Sequence, residues 1–312
     1  MDRVSIIIPA KNEENNISRC LNSVNVAISN YNGNAEIILV DNGSSDQTIV
    51  IAKKYDCKIF IRPDLKISGL RNYGVSQSSG DILAFVDADM TVNYDWIKCG
   101  VNALKVRDVV CVGGYIDIPE KSTWVERAWH MNFEAMSNKH TIDWVPSMNM
   151  FVRKKDFLSV NGFNEELVTC EDVDLCYRLK LLGLIKYDSR ISSTHYGEAK
   201  TLKHFYQKEK WRGQGNIKGV LSHKINIKEL PSILIPLYYN YSLITLPLIL
   251  FKRAKCNIIL NLIAIMIFPI IRTLWTSSRA NNYNYIVPLT ILWFVYYIAR
   301  GMSMISSTNK RK

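Results

Sequence analysis

Ile82-Leu83-Ala84-Phe85-Val86-Asp87-Ala88-Asp89 is an apolar run that ends in two carboxylates one residue apart. Five apolar residues without alternation read as a strand buried on both faces, the habit of a parallel sheet covered by helices. Two acids at the tip of such a strand repel one another and resist desolvation, so a divalent cation or a cluster of donors is the natural compensation. Hard oxygen ligands select Mg2+ or Mn2+. By itself the pair reads more readily as a solvated turn after a strand.

Working outward toward the N-terminus, 4–8, 36–40 and 58–61 are further short β-branched strands, and 13–29, 46–55, 67–77 and 94–105 are helical by length and composition. Strands alternating with helices predict an α/β fold with a mostly parallel sheet and helices on both faces. Ligands bind such a sheet beyond the carboxyl ends of its strands. The unusual polar residues stand there: Pro9-Ala10-Lys11-Asn12-Glu13-Glu14, Asp41-Asn42-Gly43-Ser44-Ser45-Asp46 and Asp87-Ala88-Asp89. No G-x-G-x-x-G follows the first strand and no P-loop pattern occurs, so dinucleotide and P-loop readings lose their support.

Toward the C-terminus, 109–118 reads as a strand, 123–140 as a helical or irregular segment and 148–152 as a short strand. A helix is expected over 169–183, with Thr169 and Asp172 spaced as a capping box, an apolar stripe of Leu175, Leu179 and Leu182, and Gly183 as the stop. A strand over 186–192 precedes His195, and 201–215 reads as an amphipathic helix carrying Phe205 and Trp211. No Pro/Gly/Ser linker interrupts residues 1–229, so these form one domain, with a nucleotide half at about 1–108 and an acceptor half at about 109–229.

Charge divides the chain differently. Residues 1–229 hold 30 basic and 28 acidic side chains, whereas 230–312 hold nine basic ones and no acid. The basic excess sits among long apolar runs at 230–250, 256–271 and 283–299, which points to a membrane surface and away from nucleic acid. A span needs roughly 20 apolar residues. The positive-inside preference favours a surface or re-entrant first segment, broken by Pro231, Pro236 and Pro247, followed by a two-span hairpin. That hairpin returns the basic clusters at 252–255 and 310–312 to one side. Met1-Asp2-Arg3 leads straight into a short strand with no signal-peptide pattern, and the seven cysteines are scattered without a C-x-x-C pair. A cytoplasmic catalytic domain held at a membrane is the expectation.

Five segments taken in order, P-A-K-N-E-E (9–14), V-D-N-G-S-S-D-Q-T (40–48), G-L-R-N-Y-G (69–74), F-V-D-A-D (85–89) and T-C-E-D-V-D-L-C-Y-R-L (169–179), resemble the pattern of glycosyltransferase family 2 on a GT-A fold, over about residues 3–215. The resemblance implies an inverting transferase that moves a sugar from a nucleotide-diphosphate donor to an acceptor. Pro9, Lys11 and Glu13 match the loop bordering the base and ribose, Asp41 the acid at the base edge, and Arg71 the segment near the nucleotide. Asp87 is placed at ribose or metal, and Asp89 at the Mn2+ or Mg2+ that holds the diphosphate. His195 resembles a late histidine that adds a metal contact. Asp172 matches the base of the family's E-D motif, beside Glu171. Inverting transfer needs such a carboxylate to take the acceptor hydroxyl's proton. Trp144 and Trp211 fall where acceptor contacts are expected; Gln207 to Trp211 resembles the Q-x-x-R-W of processive synthases, with Lys210 in place of Arg.

The expected partners are a nucleotide-diphosphate sugar, a lipid-linked or saccharide acceptor and the membrane, in envelope polysaccharide or glycolipid synthesis. Two rivals remain open on the residues alone: a polyprenyl-phosphate monoglycosyltransferase, and a catalytically silent scaffold that binds nucleotide sugars.

Overall fold

In a computed structural model, β1 (Val4–Ala10) lies inside the sheet with every residue buried. Ile6, Ile7 and Ile8 are fully enclosed, each contributing about 1.5–3 kcal/mol from burial. The structure describes residues 2–137, 142–215, 230–251 and 255–306. Around β1 stand β2 (Ala35–Asp41), β3 (Lys58–Ile61), β4 (Ile82–Val86), β5 (Met90–Val92), β6 (Val109–Asp117), β7 (Asn149–Arg153) and β8 (Leu184–His195). They form one eight-stranded sheet ordered β3-β2-β1-β4-β7-β6-β8-β5.

The sheet is mixed. β1 pairs parallel with β2 and β4, and β6 with β8, while β7 runs antiparallel to both β4 and β6. The order reverses between β1, which continues to β2, and β4, which starts the other way, and the crevice beyond those two strands is where a ligand sits in such sheets. The helices of this unit are α1 (Ile17–Asn30), α2 (Thr48–Ala52), α3 (Ile67–Ser76), α4 (Trp96–Leu104), α6 (Lys154–Ser159) and α7 (Glu171–Leu179). A core of Ile7, Leu83, Phe85, Met150, Phe157, Phe163, Leu175 and Leu179 packs α7 against the sheet.

Three expectations about α7 change. Thr169 does not stand at the N-cap: the helix starts at Glu171, and its N-cap is Cys170, whose left-handed φ of 67° and lack of a side-chain cap bond leave the N-terminus to the acids of the first turn. The helix stops at Leu179, before Gly183, and Leu182 is 49% exposed instead of joining the buried stripe of Leu175 and Leu179.

The chain forms two compact units, Met1–Pro119 with Lys139–Gly197, and Glu120–Asn138 with Glu198–Lys312. The second contains α5 (Trp124–Ser137), α8 (Leu202–Arg212), α9 (Pro231–Phe251), α10 (Lys255–Ala280) and α11 (Ile286–Ser306). Its core gathers Met131, Tyr239, Leu289, Trp293 and Tyr297. Glu209 on α8 is 1% exposed and is compensated by Arg212 at 2.7 Å and by Arg300 of α11 at 2.9 Å. Asn240 donates to the Gly301 carbonyl at 2.8 Å, tying α9 to α11. Two helical stretches, Asn261–Ala280 and Ile286–Ile305, are long and apolar enough to cross a membrane. The first carries an exposed apolar row that includes Leu262, Ile263, Ile267, Ile270, Ile271 and Leu274. Pro231 opens α9, where its missing N–H is harmless, and the helix continues through Pro236. Lys252, Arg253 and the basic residues 310–312 lie outside the described residues.

Candidate active site

The carboxyl ends of β1 and β2 carry two loops that interlock. Asn12, at a left-handed φ of 55°, donates its N–H to Ser44 Oγ at 2.8 Å and accepts the Ser45 N–H on Oδ1 at 2.9 Å. The Glu13 N–H donates to Thr48 Oγ1 at 2.7 Å, and the Glu14 N–H to Asp46 Oδ2 at 3.1 Å. Asp41 is fully buried, and its two oxygens accept from the N–H and hydroxyl of Ser44 at 2.8 and 2.5 Å. Expected at a base edge, this acid is engaged in shaping its own loop. Lys11 Nζ donates to Asn42 Oδ1 at 3.0 Å on the exposed rim, and Pro9 is buried in β1.

Glu13 stands close to the β4 acids. Burial raises its proton affinity first, a hydrogen bond from Asn16 opposes this, and the charges of Asp89 and Asp87 raise it further. Three strand ends therefore bring acids to one rim, as the sequence predicted.

The segment after β4 turns at once into β5, with the Met90 N–H donating to the Asp87 carbonyl at 3.1 Å. β5 pairs antiparallel with the end of β8, placing His195 opposite Met90. Register thus carries a histidine 106 positions away to Asp89, with Nε2 and Oδ2 3.1 Å apart. The Tyr196 N–H donates to the Asp89 carbonyl at 2.9 Å. A Cβ at Gly197 would overlap the Asp89 carboxylate, so only glycine lets that side chain lie where it does.

On the other side of Asp87 sits Arg71, on α3 and 2% exposed. Its Nη2 donates to Asp87 Oδ1 at 2.8 Å and its Nη1 to Glu171 Oε1 at 2.9 Å. The resemblance places this residue near the nucleotide; in the structure its terminal nitrogens hold two carboxylates 84 residues apart in sequence. Removing one partner of such a buried ion cluster costs about 3–5 kcal/mol.

Asp172 follows Glu171 on the first turn of α7 and is partly buried. Burial, and next the Glu171 charge, push its carboxyl up from the ordinary 3.8 to about 7, against the N–H groups of Val173 and Ser147 and the Arg71 cation. A carboxylate poised there can take and release a proton near neutral pH. Glu13, Asp87, Asp89, Arg71, Glu171, Asp172 and His195 are thus linked by direct contacts or by the fields of their neighbours.

Trp144 is half-buried and packs against the core beside Val145. Trp211, in the second unit, is 48% exposed on α8, while Phe205 is buried there. Trp129 fills the core of that unit against Phe205 and Trp293. Sequence reading missed Ser147, whose N–H reaches Asp172, and Gly197; a glycine two positions after a strand-end histidine was the available signal for the latter. A cavity of about 440 Å3 lined in part by Asp81, Leu104, Lys105 and Arg153 opens at the amino end of β4, the end opposite Asp87. It takes no part in this site.

The family profile described as Glycosyl transferase family 2 matches residues 5–160, half of the chain. A glycosyltransferase named AglE from Haloferax volcanii is 35% identical over 181 residues, covering 54% of this chain and 59% of the relative. A pre-mycofactocin glycosyltransferase of Mycobacterium tuberculosis is 28% identical over 189 residues, 56% of this chain and 38% of its own. The chain therefore spans less than two thirds of the length of either relative. Among solved structures, a mannosyltransferase from Pyrobaculum calidifontis in complex with GDP-Man and Mn2+ superposes with a TM-score of 0.61 at 12% identity, covering 100% of this chain and 88% of that one. S. aureus TarS 1–349 in complex with UDP gives 0.51 at 15% identity, covering 99% and 92%. At such identities the likeness is one of fold.

Proposed function

The chain belongs to glycosyl transferase family 2 and has the GT-A fold, and from that premise we propose that it is an inverting transferase that moves a sugar from a nucleotide-diphosphate donor to a membrane-associated acceptor. The observation that carries this reading is the pairing, through Arg71, of the β4 acid Asp87 with Glu171, the residue before Asp172. One side of the site offers acids and a histidine to a donor, and the other a carboxylate that titrates near neutrality. Residues 1–229 form the transferase part and 230–312 a basic, membrane-associated helical tail.

Pro9, Lys11, Glu13 and Asp41 build the rim that receives the nucleoside, Asp41 through the loop it holds. Asp172 accepts the acceptor hydroxyl's proton as that oxygen bonds to the anomeric carbon, on the face opposite the departing nucleoside diphosphate. The bond to the diphosphate oxygen breaks as the new one forms, which inverts the anomeric centre. Trp144, within the catalytic unit, is an acceptor contact on this reading.

The donor set fits Mn2+ or Mg2+. Neighbouring ligands of an octahedral ion about 2.1 Å from the metal lie about 3.0 Å apart, close to the 3.1 Å between Asp89 Oδ2 and His195 Nε2. Among the described residues no three His, Cys, Asp or Glu side chains form a cluster, so an ion bound at Asp89 and His195 would need further ligands from outside the side chains. Asp89 and His195 would hold it, with Asp87 alongside, and it would neutralise charge developing on the leaving diphosphate. Gly197→Ala displaces Asp89, so Mn2+ affinity measured by calorimetry is expected to fall at least about tenfold; an unchanged affinity rejects this ligand set.

The test of the transfer reading is turnover of a panel of nucleotide sugars by the full chain, with and without EDTA. Hydrolysis or transfer that stops with EDTA supports it, and donor binding without turnover supports a silent scaffold. The tail predicts a second result. With two inserted helices, the protein leaves membranes in detergent but stays through a 1 M salt wash, whereas purely electrostatic attachment, about 1 kcal/mol per basic residue near the surface, is stripped by salt. The catalytic part then works at the cytoplasmic leaflet on a lipid-linked acceptor.

A further inference from the structure

Arg71 and Asn72 are consecutive on α3, and between them they hold the whole approach to α7. Asn72 Oδ1 accepts the Phe163 N–H at 3.0 Å, and its Nδ2 donates to the Phe163 carbonyl at 2.8 Å and to Glu165 Oε1 at 2.9 Å. The Arg71 guanidinium lies 5.5 Å from the Phe163 ring centre and spends its two terminal nitrogens on Asp87 and Glu171. Among the described residues its Nε finds no acceptor, and the two carboxylates compensate this buried cation. The side chain is only 2% exposed.

We propose that Arg71 is a positioning residue of the transfer: it locks the donor-side Asp87 and the α7 acid Glu171 into one rigid body, so that Asp172 is presented at a fixed place and with a tuned charge. The inference rests on the transferase reading for its purpose, though not for its geometry. A lysine cannot do the same work, because an ammonium lacks the planar fork that reaches two carboxylates at once.

The main charge effects on Asp172 come from two neighbours. Glu171 adjoins it on α7 and disfavours its ionisation, while Arg71 from α3 favours it. Asp174, two residues on, is paired with Arg178 at 2.5 Å. The N–H of Ser147, from the loop before β7, also stabilises the charged form of Asp172. Removing Arg71 therefore strips away a cation that favours the charged form of Asp172 and takes from Glu171 its guanidinium partner.

The experiment uses the full chain in detergent and records its thermal midpoint from pH 4 to 9. The difference between the native protein and Asp172→Asn reports where Asp172 ionises, with no need for turnover. In an Arg71→Met background that ionisation is expected to move up by about one pH unit or more, and Glu171→Gln added to it is expected to bring it back. Arg71→Lys, which keeps the charge should Met prevent folding, is expected to lower donor turnover about tenfold or more while donor KM and the binding of UDP or GDP with Mn2+ stay within about threefold. An unmoved Asp172 ionisation in both variants, with the loss falling on UDP or GDP affinity instead, overturns the proposal and makes Arg71 a nucleotide ligand. A native protein that turns over no donor counts against the transfer reading, and the melting series still decides whether Arg71 sets Asp172.

Discussion

Asp172→Asn is expected to lower sugar transfer by about 1,000-fold or more, since the amide keeps the shape of the side chain but cannot accept the acceptor's proton. The same substitution is expected to make the protein more stable at pH 8. Burial and Glu171 raise the Asp172 carboxyl from 3.8 to about 7, so the folded chain holds a proton that the unfolded chain has already lost between those values. Stability from this group is full below about pH 4 and drains away as pH rises toward 7. At roughly 1.4 kcal/mol per unit the penalty at pH 8 is of order a few kcal/mol, several degrees in Tm, and asparagine removes it. Transfer lost together with stability gained cannot be a folding defect. In the native enzyme kcat/KM should rise with pH through a midpoint close to 7, because the base must be ionised to act. An Asp172→Asn protein that keeps substantial activity points instead to an acceptor already ionised, such as a polyprenyl phosphate.

Asp89→Asn is expected to have the second largest effect, a fall in turnover of at least about 100-fold. It leaves the backbone bond from Tyr196 untouched, since that N–H goes to the main-chain carbonyl. What it removes is the negative charge 3.1 Å from His195 Nε2. Mn2+ should then no longer strengthen the binding of UDP or GDP, measured by calorimetry with and without the ion. Retained Mn2+ dependence would place the ion away from Asp89. Paired with Asp172→Asn, which should leave nucleotide binding within about threefold, the variant separates the donor side from the acceptor side.

Much of the site was legible because strand ends are where a buried parallel strand can first carry polar groups. The apolar runs at 4–8, 36–40, 58–61 and 82–86 marked the strands, and the residues just after them supplied Asp41, Asp87 and Asp89. Direction was not legible: β7 is a short apolar run like its neighbours, and nothing in Asn149–Arg153 says that it runs antiparallel. β5, three residues long, was invisible by periodicity, yet its pairing with β8 is what carries His195 to Asp89. Thr169 and Asp172 fit a capping box in sequence, whereas the helix starts at Glu171 behind an N-cap, Cys170, that is held in the left-handed region and makes no side-chain cap bond. Arg71 stood within a recognised segment, but its partner lies 100 positions on, and only tertiary packing brings Glu171 to it.

The most direct test of the central claim, that the acids on the β4 side and Asp172 serve one transfer, is mass spectrometry of the full chain incubated with a nucleotide-sugar panel, Mn2+ and a membrane lipid extract. A lipid gaining one sugar mass, with matching nucleoside diphosphate released and both lost in Asp172→Asn and in Asp89→Asn, is the predicted result. Sugar transfer that survives in either variant at the native rate would contradict the account.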